Sequence, residues 1–484
     1  MRQYVILALI FFAVFGTRLY FSLQSPYFTY DGYFSERQVT NIMQTGLPSF
    51  NHLSYSEHFF LPTFQYILAG LSYLVPFALK AVPAFFASLA VIGAYLLALQ
   101  LTGNRAASLC SAFIAGFTPF YFSETLNSIS VYTLVIPLFL FLLYFFLRLK
   151  ERHFILLFVA GVILLAFTDA SAIILVLGLL LYLALAKAEN IEHSRLETEL
   201  IIFSAIFVAW LVFIIFRMPL LKYGLSAVWQ NLPPEIISQR FTSLSPIKAI
   251  YSIGILPFLA GVFVIYRYML RQKVKQIYLL MSFAIVIFLL LWLQFVEAKV
   301  GLFFLGAILA VLFSQFYALF SAYLDKTKAA GFKVPILAVL MLALASSLII
   351  PSFTAASQAQ DIPSKELMAA MEWIVNNTEN GSVVLAPLEY GHLIAAVAQR
   401  QNVLDSNFIF AKDAGQRFID LNAIYSGSQE TEGVRLLSSY YVAYIIPVWE
   451  KGAVKPAYLE TDKDCFRQVY YPFPRVYKSM CDVS

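Results

Sequence analysis

The feature that most constrains this chain is a long succession of apolar runs. A helix rises 1.5 Å per residue, so about 20 apolar residues cross a bilayer. Runs of that kind occupy 4–23, 79–101, 106–122, 130–148, 154–168, 171–187, 199–216, 249–266, 277–295, 300–323 and 334–351. The expectation is therefore a polytopic α-helical membrane protein of about 11 spanning helices. The pair 154–168 and 171–187 is short and is separated by Thr168, Asp169 and Ala170, which leaves open a tight hairpin or one broken helix. Apolar residues make up 60% of the 484 and charged residues only 13%, where a soluble domain carries about one quarter charged. That balance excludes an ordinary soluble enzyme, a disordered chain and a nucleic-acid binder. The first run lacks a following small-residue cleavage site and reads as a retained helix, not a removed signal peptide.

The basic residues set an expected orientation. With the N-terminus cytoplasmic, inside loops carry Arg105, then Arg148, Lys150 and Arg152, then Lys187 and Arg195. They continue with Arg267, Arg271, Lys273 and Lys275, then Lys326, Lys328 and Lys333. This repeats the positive-inside pattern in phase. Counting 59–77 as a span would invert it, so that stretch reads as a helix at the outer interface. The expected location is the cell (plasma) membrane, with polar mass gathered outside.

Three outer segments are large: 24–77, 217–248 and the tail after 351. The expected domains are thus a membrane domain, 1–351, with outer loops 24–77 and 217–248, and an extracytoplasmic domain, 352–484. In the tail, charged residues return. The stretch 364–376 has helical periodicity, and 382–386, 440–447 and 466–471 alternate like strands, so an α/β or α+β domain is expected. Cys465 and Cys481 flank a short segment there and pair if it faces an oxidising compartment. Cys110 lies in an apolar run and reads as a core residue.

Ionisable groups are scarce inside the runs and collect at the outer ends of helices. A carrier is expected to show internal repeats and polar sites near mid-bilayer; this distribution suits an enzyme acting on a lipid-linked substrate. Asp31 follows the first run. A helix is expected over 35–44, with Ser35 as a possible cap and Gly46 at its end. A carboxylate at the membrane surface can serve as a base or hold a divalent cation, or simply cap a helix. His58 and His392 are lone histidines and read as surface or packing residues. Asn376 and Asn380 begin N-x-S/T sequons.

The segment 31–37, Asp-Gly-Tyr-Phe-Ser-Glu-Arg, followed by a helix and Gly46, resembles the first outer loop of oligosaccharyltransferase catalytic subunits, which are C-type (GT-C) membrane glycosyltransferases. The likeness continues through 107–132, 228–234 and the opening of the run at Lys299. In the tail, 371–378 and 382–391, ending Pro-Leu-Glu-Tyr-Gly, resemble the region around the family's Trp-Trp-Asp-Tyr-Gly motif, and Asp405, Ser406 and Asn407 extend it. The family's second-loop Asp-x-Asp falls on Ser128, Ile129 and Ser130, and its later acidic residue on Gln230.

The resemblance implies transfer of a sugar or glycan from a polyprenyl (dolichyl) phosphate-linked donor by a single inverting displacement. Asp31 and Glu124 would be catalytic, and Lys299, Arg240 and Arg18 would bind the donor phosphate. Glu389 and Tyr390 would contact the acceptor, and Asp31 would ligate Mg2+ or Mn2+ if a metal is used. The partners implied are the bilayer and the lipid-linked donor. A catalytically inactive relative serving as a structural or accessory subunit is the alternative, with a lipid or glycan carrier third.

Overall fold

The computed structural model describes residues 2–47, 62–75, 77–217, 220–221, 245–271, 273–358, 361–407, 413–426, 430–447 and 456–481. The chain divides into two compact units. The first takes Met1–Ser25, Leu61–Ile215 and Ser238–Ala359; the second takes Pro26–Phe60, Phe216–Ile237 and Gln360–Ser484.

The first unit is helical and carries the spans of a multi-pass membrane protein. Its principal helices are α1 (Arg2–Leu23), α3 (Thr63–Ser72), α4 (Ala78–Thr102), α5 (Arg105–Gly116), α6 (Pro119–Glu124), α7 (Tyr132–Leu147), α8 (Arg152–Thr168), α9 (Ala172–Ala188) and α10 (Arg195–Ile215). They continue as α11 (Pro246–Ile253), α12 (Ile255–Arg271), α13 (Lys275–Trp292), α14 (Ala298–Asp325) and α15 (Lys333–Ser357). Helix α2 (Tyr30–Thr45) belongs to the second unit. The helix α14 forms the centre, with 72% of its apolar window buried. In α15 the figure is 17% and in α1 22%. Those outer helices leave Phe12, Val339 and Leu342 exposed, as expected of surfaces solvated by lipid. Close packing uses glycine: a Cβ on Gly178 would stand 2.1 Å from the Phe283 ring. Ser282 Oγ donates to the Gly178 carbonyl at the same crossing.

Length and composition support six spanning helices, or seven if the bent pair α11–α12 is one span. This count is of the described residues, and it does not confirm the expected eleven. Helices occupy all eleven stretches, but α7, α8 and α9 have 16 or 17 residues. Two runs are broken for local reasons. The run 106–122 divides into α5 and α6 because Pro119 cannot donate a backbone hydrogen bond and starts a new helix; at the break, Ser352 Oγ donates to the Phe117 carbonyl at 3.0 Å. The run 249–266 turns by 97° at Gly254, whose φ of +107° suits a residue without Cβ. The stretch read as an interfacial helix contains α3, only 10 residues long.

The second unit is built on a five-stranded mixed sheet. Its strands are β1 (Val383–Leu385), β2 (Gln401–Asn402), β3 (Val442–Ile445), β4 (Phe466–Tyr470) and β5 (Val476–Ser479), in the order β2-β1-β3-β5-β4. The β1 strand pairs parallel to β2 and β3, whereas β5 runs antiparallel to β3 and β4. Helix α16 (Lys365–Asn377) starts at Ser364, whose Oγ accepts from Leu367 N. Two further helices, α17 (Ala414–Ser426) and α18 (Glu430–Ser439), supply Phe418, Leu421, Val434 and Leu437 to the core with Val383 and Ile445. Cys465 and Cys481 form a disulfide across the ends of β4 and β5.

Arg400 is buried and saturated. It donates to the Thr378 hydroxyl and to the carbonyls of Val375, Thr378, Ala398 and Gln399. It thereby ties the end of α16 to the turn before β2 and fixes the segment 388–407 described next.

Candidate functional site

Asp31 lies in the first turn of α2, four residues before the expected cap at Ser35. The difference is physical: Thr29 caps the helix by accepting from Gly32 N, and the Tyr30 amide is held by the Asp361 carbonyl. Ser35 is instead buried within the helix. Gly46 does end α2, with φ of +74° and its N–H on the Ile42 carbonyl. A carboxylate in a first helical turn also faces the positive end of the helix dipole.

One face of α2 then meets the segment 388–407. Tyr30 stacks on Tyr390 with centroids 5.0 Å apart, and Phe34 lies against the His392 ring at 5.1 Å. The spacing 30, 34, 37 is one helical stripe. Asp31 is exposed, and its Oδ1 accepts from Ser406 Oγ at 3.0 Å. The same Oγ is 2.9 Å from His392 Nε2. His392 and Asp405 are 4% and 0% exposed, with Nδ1 and Oδ2 3.8 Å apart. Asp405 Oδ1 accepts from Asn407 N at 3.0 Å, and Asn407 Nδ2 lies 3.4 Å from His392 Nε2. Arg37, also on α2, is brought down to about 10 by burial, and the Asp405 charge opposes that shift. The buried carboxylate is thus faced by an imidazole and a guanidinium, as buried charge requires.

Gly391 makes this arrangement possible. A Cβ there would stand 2.4 Å from the Leu404 carbonyl and 2.6 Å from Asp405 Cβ. The glycine of the Glu-Tyr-Gly motif thus permits contact between two stretches 13 residues apart. Glu389 is exposed on the turn before it, and Tyr390 is half-buried against Tyr30.

The helical unit holds the other candidates. Glu124, at the end of α6, pairs with Lys299 in the first turn of α14 at 3.0 Å, each about one third exposed (33% and 37%). Asp169, between the two short runs, caps the C-terminal end of α8, accepts from Ser171 N at 2.8 Å and is hydrogen-bonded to Tyr132. Arg18 is 1% exposed. It donates to Thr125 Oγ1 at 2.8 Å and to the Tyr121 carbonyl at 3.4 Å, and lies over the Tyr121 and Phe122 rings. With Ser22, Lys80 and Asn127 it lines a small cavity. The Lys80 ammonium donates to the carbonyls of Ser22 and Ser25 and to Asn127 Oδ1. Arg240 and Gln230 lie outside the described residues.

The described partner of the Asp31 carboxylate is the neutral Ser406 hydroxyl, a sparse donor set for a resident Mg2+ or Mn2+. Such ions take six or more oxygens and gain most from carboxylates. The positions resembling Asp-x-Asp offer two neutral hydroxyls. Ser128 Oγ is buried without a hydrogen-bond partner, and Ser130 Oγ accepts from Tyr132 N. Among the described residues, one group of three candidate ligands lies within ligating range: Glu430, Asp462 and Cys465. Its sulfur is consumed by the disulfide.

No family model matches the chain, and no curated protein matches it by sequence. Solved structures do. AglB, an oligosaccharyltransferase from Archaeoglobus fulgidus, in complex with an inhibitory peptide and a dolichol-phosphate, superposes with a TM-score of 0.68 at 14% identity, covering 90% of this chain and 69% of that one. An Archaeoglobus fulgidus oligosaccharyltransferase in complex with Zn and sulfate gives 0.65 at 15%, covering 96% and 73%. ArnT from Cupriavidus metallidurans bound to undecaprenyl phosphate gives 0.59 at 14%, covering 98% and 97%. These are GT-C membrane glycosyltransferases, and the chain shares their fold.

Proposed function

We propose that this chain is an integral-membrane glycosyltransferase. It moves a sugar or glycan from a polyprenyl (dolichyl) phosphate-linked donor to an acceptor on the outer face of the cell membrane. The observation that carries the reading is Asp31, fixed in a first helical turn with one carboxylate oxygen held by Ser406. The shared fold with two lipid-phosphate-bound proteins supports the donor class.

In this reading, an acceptor hydroxyl or amide attacks the anomeric carbon from the side opposite the phosphate. Asp31 takes the acceptor proton as the new C–O or C–N bond forms. The bond from the anomeric carbon to the phosphate oxygen breaks, and the oxygen leaves with the electron pair. One displacement inverts the anomeric centre. Cations offset the charge on the leaving phosphate: Lys299 on α14, Arg18 beside the Lys80 cavity, and Arg240. Release of Lys299 to phosphate would free Glu124 as a second acid–base group. Glu389 and Tyr390, on the turn next to α2, would contact the acceptor. Apolar grooves between helices would hold the isoprenoid.

A second reading has a specific observation in its favour. Ser128 and Ser130 stand where the resembled family has acids, so the chain could be a non-catalytic relative serving as an accessory subunit. One experiment separates the two. The full chain in lipid nanodiscs is incubated with undecaprenyl- and dolichyl-phosphate-linked radiolabelled sugars, and free polyprenyl phosphate is resolved by chromatography. Release of the lipid phosphate supports transfer, with water as the default acceptor. Binding of polyprenyl phosphate without cleavage across the panel supports the accessory reading.

A further inference from the structure

In the sequence His392 is a lone histidine, and the proposed chemistry does not use it. Its surroundings are unlike those of a packing residue. It is 4% exposed, faces a carboxylate that is 0% exposed, and presents Nε2 to a hydroxyl that is itself bound to Asp31. A serine hydroxyl has one proton and two lone pairs. Ser406 directs its proton to Asp31 Oδ1, so its lone pair is what meets Nε2. With hydrogen on Nε2, donors run in one direction from His392 to Ser406 to Asp31. The base of this chain is rigid: Asp405 is held by Asn407 N, and Gly391 allows His392 to close on it.

The geometry points to His392, acting through Ser406, as a positioning residue for Asp31. The relay fixes Oδ1 and thereby holds the carboxylate in one orientation. This inference rests on the reading of Asp31 as the base. The same three side chains, Asp405, His392 and Ser406, have the order of a hydrolase triad. A nucleophilic serine, however, must give its proton to the histidine, and here the proton is directed at Asp31.

The primary variant is Ser406→Ala in the full chain in nanodiscs, because Ser406 is only half-buried and its loss opens no core. Donor cleavage is expected to fall about 10- to 100-fold in kcat, the scale of a misplaced catalytic group, with the donor KM unchanged. Ser406→Thr restores the hydroxyl and is expected to recover most of the rate. His392→Gln keeps an N–H donor and is expected to exceed His392→Leu. In an Asp31→Asn background, Ser406→Ala is expected to cost nothing further. A wild-type kcat in Ser406→Ala, or an additive loss in the double variant, would overturn the relay. So would labelling of Ser406 by a fluorophosphonate, which reports a nucleophile.

A second readout needs no turnover: the rate at which a water-soluble carbodiimide with glycine ethyl ester modifies Asp31, read by mass spectrometry. Ser406→Ala is expected to change that rate, and an unchanged rate contradicts the relay whether or not sugar is transferred. A changed rate in a protein that cleaves no donor supports the relay and removes only the glycosyl-transfer reading.

Discussion

Two carboxylates were marked for chemistry, and the molecule keeps them in different ways. Asp31 is held by a neutral hydroxyl, backed by a buried histidine and aspartate. Glu124 is paired with a partly exposed lysine. A hydroxyl orients a carboxylate without cancelling its charge, whereas an ammonium cancels it and can be drawn away by a stronger anion. The first arrangement suits a base that must already point at its target. The second suits a site that exchanges one anion for another.

The comparison breaks first at Asp31. Asp31→Asn keeps the helix start and the side-chain size. It is expected to lower donor cleavage about 100- to 10,000-fold, the range of a lost general base, with the protein still monodisperse by size-exclusion chromatography. Cleavage at the wild-type rate would move the base to Glu124.

The scaffold behind Asp31 comes next. Gly391→Ala places a Cβ 2.4 Å from the Leu404 carbonyl. Overpacking of this kind is expected to cost about 1–3 kcal/mol, seen as a lower thermal midpoint of the second unit, together with loss of cleavage. A stable but inactive Gly391→Ala would show that spacing alone sets the relay.

At the ion pair, effects should be smaller. Lys299→Gln is expected to raise the donor KM about tenfold, equivalent to about 1.4 kcal/mol of a charge-assisted contact, with kcat little changed. A fall in kcat alone would instead place Lys299 at the transition state. The smallest expected effect is that of a chelator. EDTA should leave cleavage unchanged, since Ser128 and Ser130 replace carboxylates. Inhibition reversed by Mg2+ or Mn2+ would contradict that expectation.

Much of the helical unit could be read from the apolar runs, because a bilayer demands long uninterrupted hydrophobicity. The breaks were less visible. Thr118 before Pro119, and Gly254, lie inside runs whose average hydropathy hides one missing donor or one positive φ. The strands at 383–385, 442–445 and 466–470 fall inside the stretches 382–386, 440–447 and 466–471 expected to form them. The start of α2 was misplaced because Ser35 is a good cap in isolation, and only the Thr29 hydroxyl on Gly32 N shows where capping occurs. The relay was the least visible. Asp405 and Ser406 stand together in the sequence, but His392 is 13 residues from Asp405, and their meeting depends on a close approach at Gly391.

The central claim is that Asp31 acts as the base in transfer from a lipid-phosphate sugar. The most direct measurement compares wild type and Asp31→Asn in nanodiscs charged with a polyprenyl-phosphate sugar, following free polyprenyl phosphate and the anomeric configuration of the product. The account predicts an inverted product from wild type and a loss of at least about 100-fold in the variant. Equal rates in the two proteins, or retention at the anomeric carbon, would contradict it.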